Sequence, residues 1–316
     1  MMTSPPARSD AADPTASRDE PSRTGWRVSW LAVLVAVIAL CGTATLLYPT
    51  VAAWFHQKTQ SEVIERLSAE IDQEPPTGLG AALVQARRYN AFLEGGAASL
   101  AAFSNVPEGE GSATSGPAYE DTLRADTTGL MARLKIPSIG VDLPIYHGTS
   151  DATLLRGVGH LEGTALPVGG EGTHSVLTGH RGLADAELFT HLDRVAKGDT
   201  FTIEVFGEVL TYRVTEIEVV EPSDTETLYP VRGADLVTLV TCTPLGINSQ
   251  RILVTGERVT PTPIEDVQAA GAHPDVPGFP WWAVIGAAVL AALALYVWLM
   301  GRAPRRSPRV LRNAGE

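Results

Sequence analysis

Cysteine is nearly absent from this chain: its 316 residues contain two, Cys41 and Cys242. That scarcity excludes the disulfide framework that staples small secreted domains. Charge is absent from two stretches, residues 28–48 (VSWLAVLVAVIALCGTATLLY) and 279–300 (FPWWAVIGAAVLAALALYVWLM). Each matches the roughly 20 apolar residues that a helix needs to cross a bilayer. Trp30, Trp281, Trp282 and Trp298 stand near their ends, where amphipathic rings favour a lipid interface. Basic residues are scarce between the two stretches: residues 49–278 hold 15 Lys and Arg against 31 Asp and Glu, a net of −16. So acidic a segment repels phosphate, which argues against nucleic acid or anionic lipid as its partner. The seven histidines follow no common zinc-ligand spacing, so a zinc site is not expected. No internal repeat is present.

The basic residues that do occur are informative by their place. Arg8, Arg18, Arg23 and Arg27 precede the first apolar stretch, and Arg302, Arg305, Arg306, Arg309 and Arg312 follow the second. Positive flanks mark the cytoplasmic side. The expectation is a two-pass protein of the cell membrane with both tails cytoplasmic and residues 49–278 outside. The first stretch reads as an uncleaved anchor, because its charged leader and apolar core are both longer than a signal peptide's. Leu40 is also too bulky for a lipoprotein cleavage site before Cys41. Cys41 then lies in the membrane, and Cys242 is the one thiol outside it. Such a thiol is either a small buried hydrophobe or a reactive group.

Along the chain, residues 1–27 read as a disordered tail, followed by the span at 28–48. Residues 49–117 read as a helical segment with a lid-like loop. One helical face is given by Val63, Ile64, Leu67 and Ile71, and a second helix is expected over 79–94. Pro75-Pro76-Thr77-Gly78 breaks the two apart. Residues 104–117 are turn-formers. From about Tyr119 the texture changes to short β-rich runs between Gly/Pro turns, at 131–136, 143–146, 174–178, 200–205, 210–220, 236–242 and 251–259. A helix signal survives only around 184–192. Residues 118–260 therefore read as an all-β barrel or sandwich. Residues 261–278 read as a stalk, 279–300 as the second span and 301–316 as a basic tail.

Two segments carry chemistry. In DLVTLVTCTPLGINSQRILVTGERV (235–259), Cys242 ends a strand, a turn follows, and Arg251 opens the returning strand. A hairpin of that length lets Arg251 face back toward the sulfur, where its guanidinium can donate to an oxyanion. In HSVLTGHRGL (174–183), glycines flanking His180-Arg181 permit a sharp turn that projects His180 from a strand end. A cysteine nucleophile needs such an acid/base beside it. Thr241 and Asn248 either shape the turn or touch substrate. His147, His160, His174 and Arg181 read as structural.

These two segments resemble the sortase family: T-G-H-R-G around the histidine, T-L-V-T-C-T-P around the cysteine, and Arg nine residues beyond it. The resemblance runs from about Tyr119 to Val259. Within it, Leu143-Pro144-Ile145-Tyr146-His147-Gly148-Thr149 and GVGHLEGTALP (157–167) resemble the class C, pilus-assembling branch. It implies an all-β, eight-stranded β-barrel. It implies cleavage of an LPxTG-type sorting signal between Thr and Gly through a thioester on Cys242, resolved by a pilin lysine amine. His180 would act as acid and base, Arg251 would hold the oxyanion, and no metal or organic cofactor would be needed. The alternatives are a housekeeping sortase, which uses a cell-wall precursor amine, and an inactive module that only binds sorting signals. Class C members carry an Asp-Pro-aromatic triplet in a lid before the barrel. Here Asn105-Val106-Pro107 is the nearest match, which leads to the expectation of a loosely held lid.

Overall fold

The structure is a computed structural model that describes residues 26–93, 119–183, 186–274 and 276–302. The expected lid loop and most of both terminal tails lie outside the described residues. Two units separate: Met1–Ala44 with Ile285–Glu316, and Thr45–Val284.

The larger unit is built on a closed barrel of eight strands. They are β1 (Leu130–Ile136), β2 (Val141–His147), β3 (Val158–His160), β4 (Thr173–Thr178), β5 (Thr200–Val205), β6 (Glu208–Val220), β7 (Asp235–Thr243) and β8 (Gln250–Arg258). Their order around the barrel is β1-β2-β3-β4-β7-β8-β6-β5, with the β2–β3 and β4–β7 pairs parallel. Closure removes the exposed sheet edge that would otherwise recruit other chains. Seven strands coincide with the β-rich runs of the sequence. The eighth, β3, is three residues of GVGH, too short and glycine-rich to stand out by composition.

Alternation sorts the residues of β7. Val237 and Leu239 point into the main core with Leu134, Ile203, Leu177 and Val254. Val240 points outward into a smaller cluster with Val176, Leu228 and Leu253. A strand covered on both faces reads as a nearly continuous apolar run, as Leu-Val-Thr-Leu-Val-Thr does. In β6 a register shift between Val214 and Glu216 changes which residues face in. Leu210, Tyr212 and Val214 fill the core, whereas Val220 packs on the outer cluster. A bulge has this effect because one inserted residue breaks the period of two.

Three sequence expectations differ from the structure. The helical face at 63–71 belongs to a helix, α1 (Trp30–Gln73), that runs through Pro49 without a break from the first span. Its far end packs Leu67 on Leu130 and Tyr146. The second helix, α2 (Pro76–Phe92), starts at the expected proline break, with Pro76 in the first turn where a missing N–H costs nothing. No helix forms over the described part of 184–192. Residues 186–191 are turns leading to a 3-10 helix at Leu192–Arg194. Leu188 has φ +38, and Phe189 and Leu192 are drawn into the main core, so burial of these two side chains overrides local helix propensity. A one-turn helix, α3 (Asp151–Leu154), links β2 to β3 and is capped by the Ser150 hydroxyl accepting from Thr153 N–H.

The expected stalk is strapped to the barrel and carries a short helix, α4 (Ile264–Gln268). Thr211 Oγ1 donates to Asp266 Oδ2 at 2.6 Å, Lys135 Nζ to Ala269 O at 3.2 Å and Arg133 Nη1 to Ala272 O at 2.8 Å. Beyond it, Trp282 meets Trp54 edge-on and Phe55 at a tilt, with ring centroids 5.9 Å from each.

In the smaller unit, α5 (Trp281–Met300) continues as an apolar helix long enough to cross a membrane, and so does α1. Trp26 Nε1 donates to Trp298 O at 3.2 Å and Arg27 N to Gly301 O at 3.0 Å. These bonds pair the start of the first apolar helix with the end of the second.

Candidate active site

Cys242 and Arg251 are direct cross-strand partners in the β7–β8 ladder. On the other side of β7, the parallel ladder with β4 pairs Thr178 with Val240, and Gly179 N–H still donates to Val240 O at 3.0 Å. Continued two residues past the end of β4, the same register puts position 180 opposite Cys242. Neighbouring strands lie about 4.8 Å apart. Positions 180, 242 and 251 therefore fall in one row by register, with Cys242 on β7, Arg251 on β8 and His180 two residues past the end of β4. By strand alternation Cys242 and Arg251 share the outer face with Val240 and Leu253, and His180, Cys242 and Arg251 are all half-buried. Residues brought together from positions 180, 242 and 251 stand on a rigid frame at the mouth of the barrel, where a strand gives way to loop.

The backbone around His180 is fixed from several directions. Thr241 Oγ1 donates to Gly179 O at 2.7 Å, and Phe189 N donates to His180 O at 3.1 Å. Gly179 has to be glycine: a Cβ there would stand 2.6 Å from the Phe189 ring. Burial holds the His180 imidazole below its ordinary pKa, partly offset by the carboxylate of Asp151 on α3. A neutral imidazole at neutral pH is one that can take a proton from a thiol or an amine.

On the far side of the row, Asn248 has φ +59, and its carbonyl accepts from Arg251 Nη1 at 2.9 Å. The Gln250 carbonyl accepts from the same nitrogen at 3.0 Å. Among the described residues, Arg251 Nε and Nη2 make no hydrogen bond, so the guanidinium keeps donors to offer. Above Cys242 the turn presents Leu245 and Ile247, both exposed.

The other two candidates are placed differently. Thr241 is 1% exposed and its hydroxyl is committed to Gly179. The Asn248 side chain lies on the exposed turn. His174 is buried and bonds Thr238 Oγ1 at 2.7 Å and Tyr229 O at 3.1 Å. His160 is enclosed by Tyr119 Oη at 2.9 Å and Ala165 O at 2.9 Å. Both are structural, as is His147 between two backbone carbonyls. Sequence reasoning passed over Thr243, which accepts a hydrogen bond from Arg181 Nη1 at 3.0 Å. The available signal was a hydroxyl residue directly after the cysteine and a cation directly after the histidine. Among the described residues, no cluster of His, Cys, Asp and Glu is arranged to hold a metal.

Comparison with known proteins agrees with this geometry. The family model described as the sortase domain matches residues 134–259. Sortase D of Bacillus subtilis (strain 168) is 31% identical over 130 residues, which is 40% of this chain and 63% of that protein. Sortase A of Bacillus anthracis is 29% identical over 134 residues, 42% of this chain and 62% of that one. The chain thus spans less than two thirds of these curated relatives. Among solved structures, sortase C-1 of Actinomyces oris is 49% identical with a TM-score of 0.52, covering 58% of this chain and 99% of the other. Sortase C of Streptococcus pneumoniae, a structure described for its pilin substrate specificity, is 40% identical with a TM-score of 0.54, covering 63% and 96%. An eight-stranded barrel with this row at its mouth, matched over nearly the full length of solved relatives, places the chain in the sortase family of cysteine transpeptidases.

Proposed function

We propose that this chain is a membrane-anchored, pilus-assembling sortase. The observation that carries the reading is the single row of His180, Cys242 and Arg251. The Cys242 thiol gives its proton to His180 as its sulfur attacks the Thr carbonyl of an LPxTG-type sorting signal, and Arg251 donates to the oxyanion that forms. His180 protonates the departing Gly amine, and the C–N bond breaks to leave a thioester. An incoming amine then gives its proton to His180 and attacks the thioester; the C–S bond breaks and His180 returns that proton to the sulfur, which restores the free thiol. Thr241 serves the site by holding the His180 turn, and Asn248 by presenting its carbonyl to Arg251. The two apolar helices anchor the enzyme in the cell membrane with both tails cytoplasmic.

Lysine of a pilin subunit is favoured as the acceptor because the solved relatives at 40–49% identity are sortases C, one of them described for pilin specificity. The test offers the full-length chain in detergent an LPxTG peptide with two competing amines, a pilin-type peptide containing lysine and an oligoglycine wall-precursor mimic. The expected product by mass is the signal joined through the lysine side chain. Joining to oligoglycine instead assigns wall anchoring. No cleavage, with binding of the signal retained in Cys242→Ala, would make the barrel a binding module.

A further inference from the structure

We infer that Arg181 and Thr243 form a positioning pair that sets the separation of His180 from Cys242. The inference deepens the proposed function and rests on its assignment of these two residues as acid/base and nucleophile. β4 ends at Thr178 while β7 continues to Thr243, so His180 stands on backbone that has left the ladder. Two side-chain bonds cross the gap. Thr241 Oγ1 donates to the carbonyl of Gly179, the residue before His180, at 2.7 Å. Arg181, the residue after His180, donates from Nη1 to Thr243 Oγ1 at 3.0 Å. Residues 179 and 181 flank the histidine, and residues 241 and 243 flank the cysteine. The pair is therefore braced on both sides.

Arg181 is itself held from behind. Its Nε donates to Thr190 O at 3.2 Å, and Nη2 pairs with Asp193 Oδ2 at 2.7 Å, with the Arg181 side chain 10% exposed. Three nitrogens thus serve three partners on two chain segments, which the planar fork of a guanidinium can do and an ammonium cannot. The next residue, Gly182, has φ +74, and a Cβ there would stand 2.5 Å from Leu245 Cδ1. The turn carrying the histidine is seated directly on the turn that follows the cysteine. Without the Arg181–Thr243 bond the Thr241–Gly179 bond is the one side-chain link left between β7 and this turn, and the turn can shift with the 189–193 segment that holds it through Phe189 N, Thr190 O and Asp193. Displacement of a reacting group by about 1 Å costs up to roughly 100-fold in rate.

The test uses the full-length chain in detergent with Thr243→Val, which removes the hydroxyl and keeps the shape, Thr243→Ser, Arg181→Met, and the Val/Met double variant. Two quantities are measured: kcat and KM for cleavage of an LPxTG peptide, and the pH dependence of iodoacetamide alkylation read on the Cys242-bearing peptide. Expected for Thr243→Val is a kcat about tenfold lower with KM changed less than about twofold. The alkylation profile changes, because a displaced imidazole no longer takes the thiol's proton as the sulfur attacks iodoacetamide. Thr243→Ser restores most of the rate, and the double variant is no slower than the slower single variant. A Thr243→Val protein with the wild-type kcat and alkylation profile would overturn the inference, and so would losses that multiply in the double variant. Thr243→Val leaves the Arg181–Asp193 pair intact, so it decides the matter even where Arg181→Met loses its fold. If no peptide is cleaved by the wild type, the proposed function fails, and the alkylation profile still decides the positioning role.

Discussion

At the scale of single residues, the three side chains of the row were visible in the sequence because each stands in a distinctive local setting. Cys242 is an isolated thiol at a strand end, His180 lies between two glycines' worth of turn, and Arg251 opens the returning strand. What holds them was not visible, because Thr241–Gly179 and Thr243–Arg181 join residues 62 positions apart, and no local pattern announces such a partnership. Gly179 provides a direct check on this packing. Gly179→Ala drives a methyl group into the Phe189 ring, and overpacking of this kind costs roughly 1–3 kcal/mol. The expected result is a lower unfolding midpoint together with loss of peptide cleavage, since relief of the clash moves His180. His160 provides a second check, through pH. Burial lowers its pKa from 6.5 to about 4, so the folded protein binds this proton less well than the unfolded chain does. Its contribution to stability is complete above about pH 6.5 and is lost as pH falls toward 4, by about 3 kcal/mol in total. Denaturant unfolding across this range should show that slope, and His160→Gln, which does not titrate, should remove it.

At the scale of elements, the strands were legible wherever β-branched residues recur over five or more positions. The three-residue β3 and the short helix α3 were not, because tertiary contacts rather than composition decide them. The helix signal around 184–192 fails over its described part for the same reason: Ala186, Leu188, Phe189 and Leu192 belong to the barrel core. The strap after β8 was read as a stalk, since its prolines and small residues say nothing of partners on β1, β5 and β6. Those partners centre on Arg133, whose side chain is 2% exposed and pairs with Asp142 at 2.6 Å and Glu204 at 3.4 Å. Removing one member of a buried ion pair strands the others, at a cost of roughly 3–5 kcal/mol. Arg133→Met should therefore lose about that much stability in urea. It should also open residues 262–274 to limited proteolysis while the strands of the barrel stay protected. Equal protection of that segment in wild type and variant would mean that Arg133 does not anchor it.

At the scale of the molecule, the chain is an acidic barrel between two apolar helices, with cationic residues concentrated beyond their outer ends. This arrangement was readable from charge alone, because a stretch of about 20 uncharged residues has few uses besides crossing lipid. Protease applied to the outside of intact cells should cut within residues 49–278 and spare epitope tags at both termini. Loss of either tag would reverse the inferred topology. The central claim is that a barrel held in this way turns Cys242 into an acyl carrier. It is tested most directly by trapping the full-length chain with an LPxTG peptide in the absence of any acceptor amine, then locating the adduct by peptide mass mapping. The expected result is a thioester on the peptide containing Cys242, abolished by hydroxylamine and by Cys242→Ala, and strongly reduced in His180→Ala and Arg251→Ala. Peptide cleavage that persists in Cys242→Ala, or an adduct formed at the wild-type rate without His180 and Arg251, would contradict it.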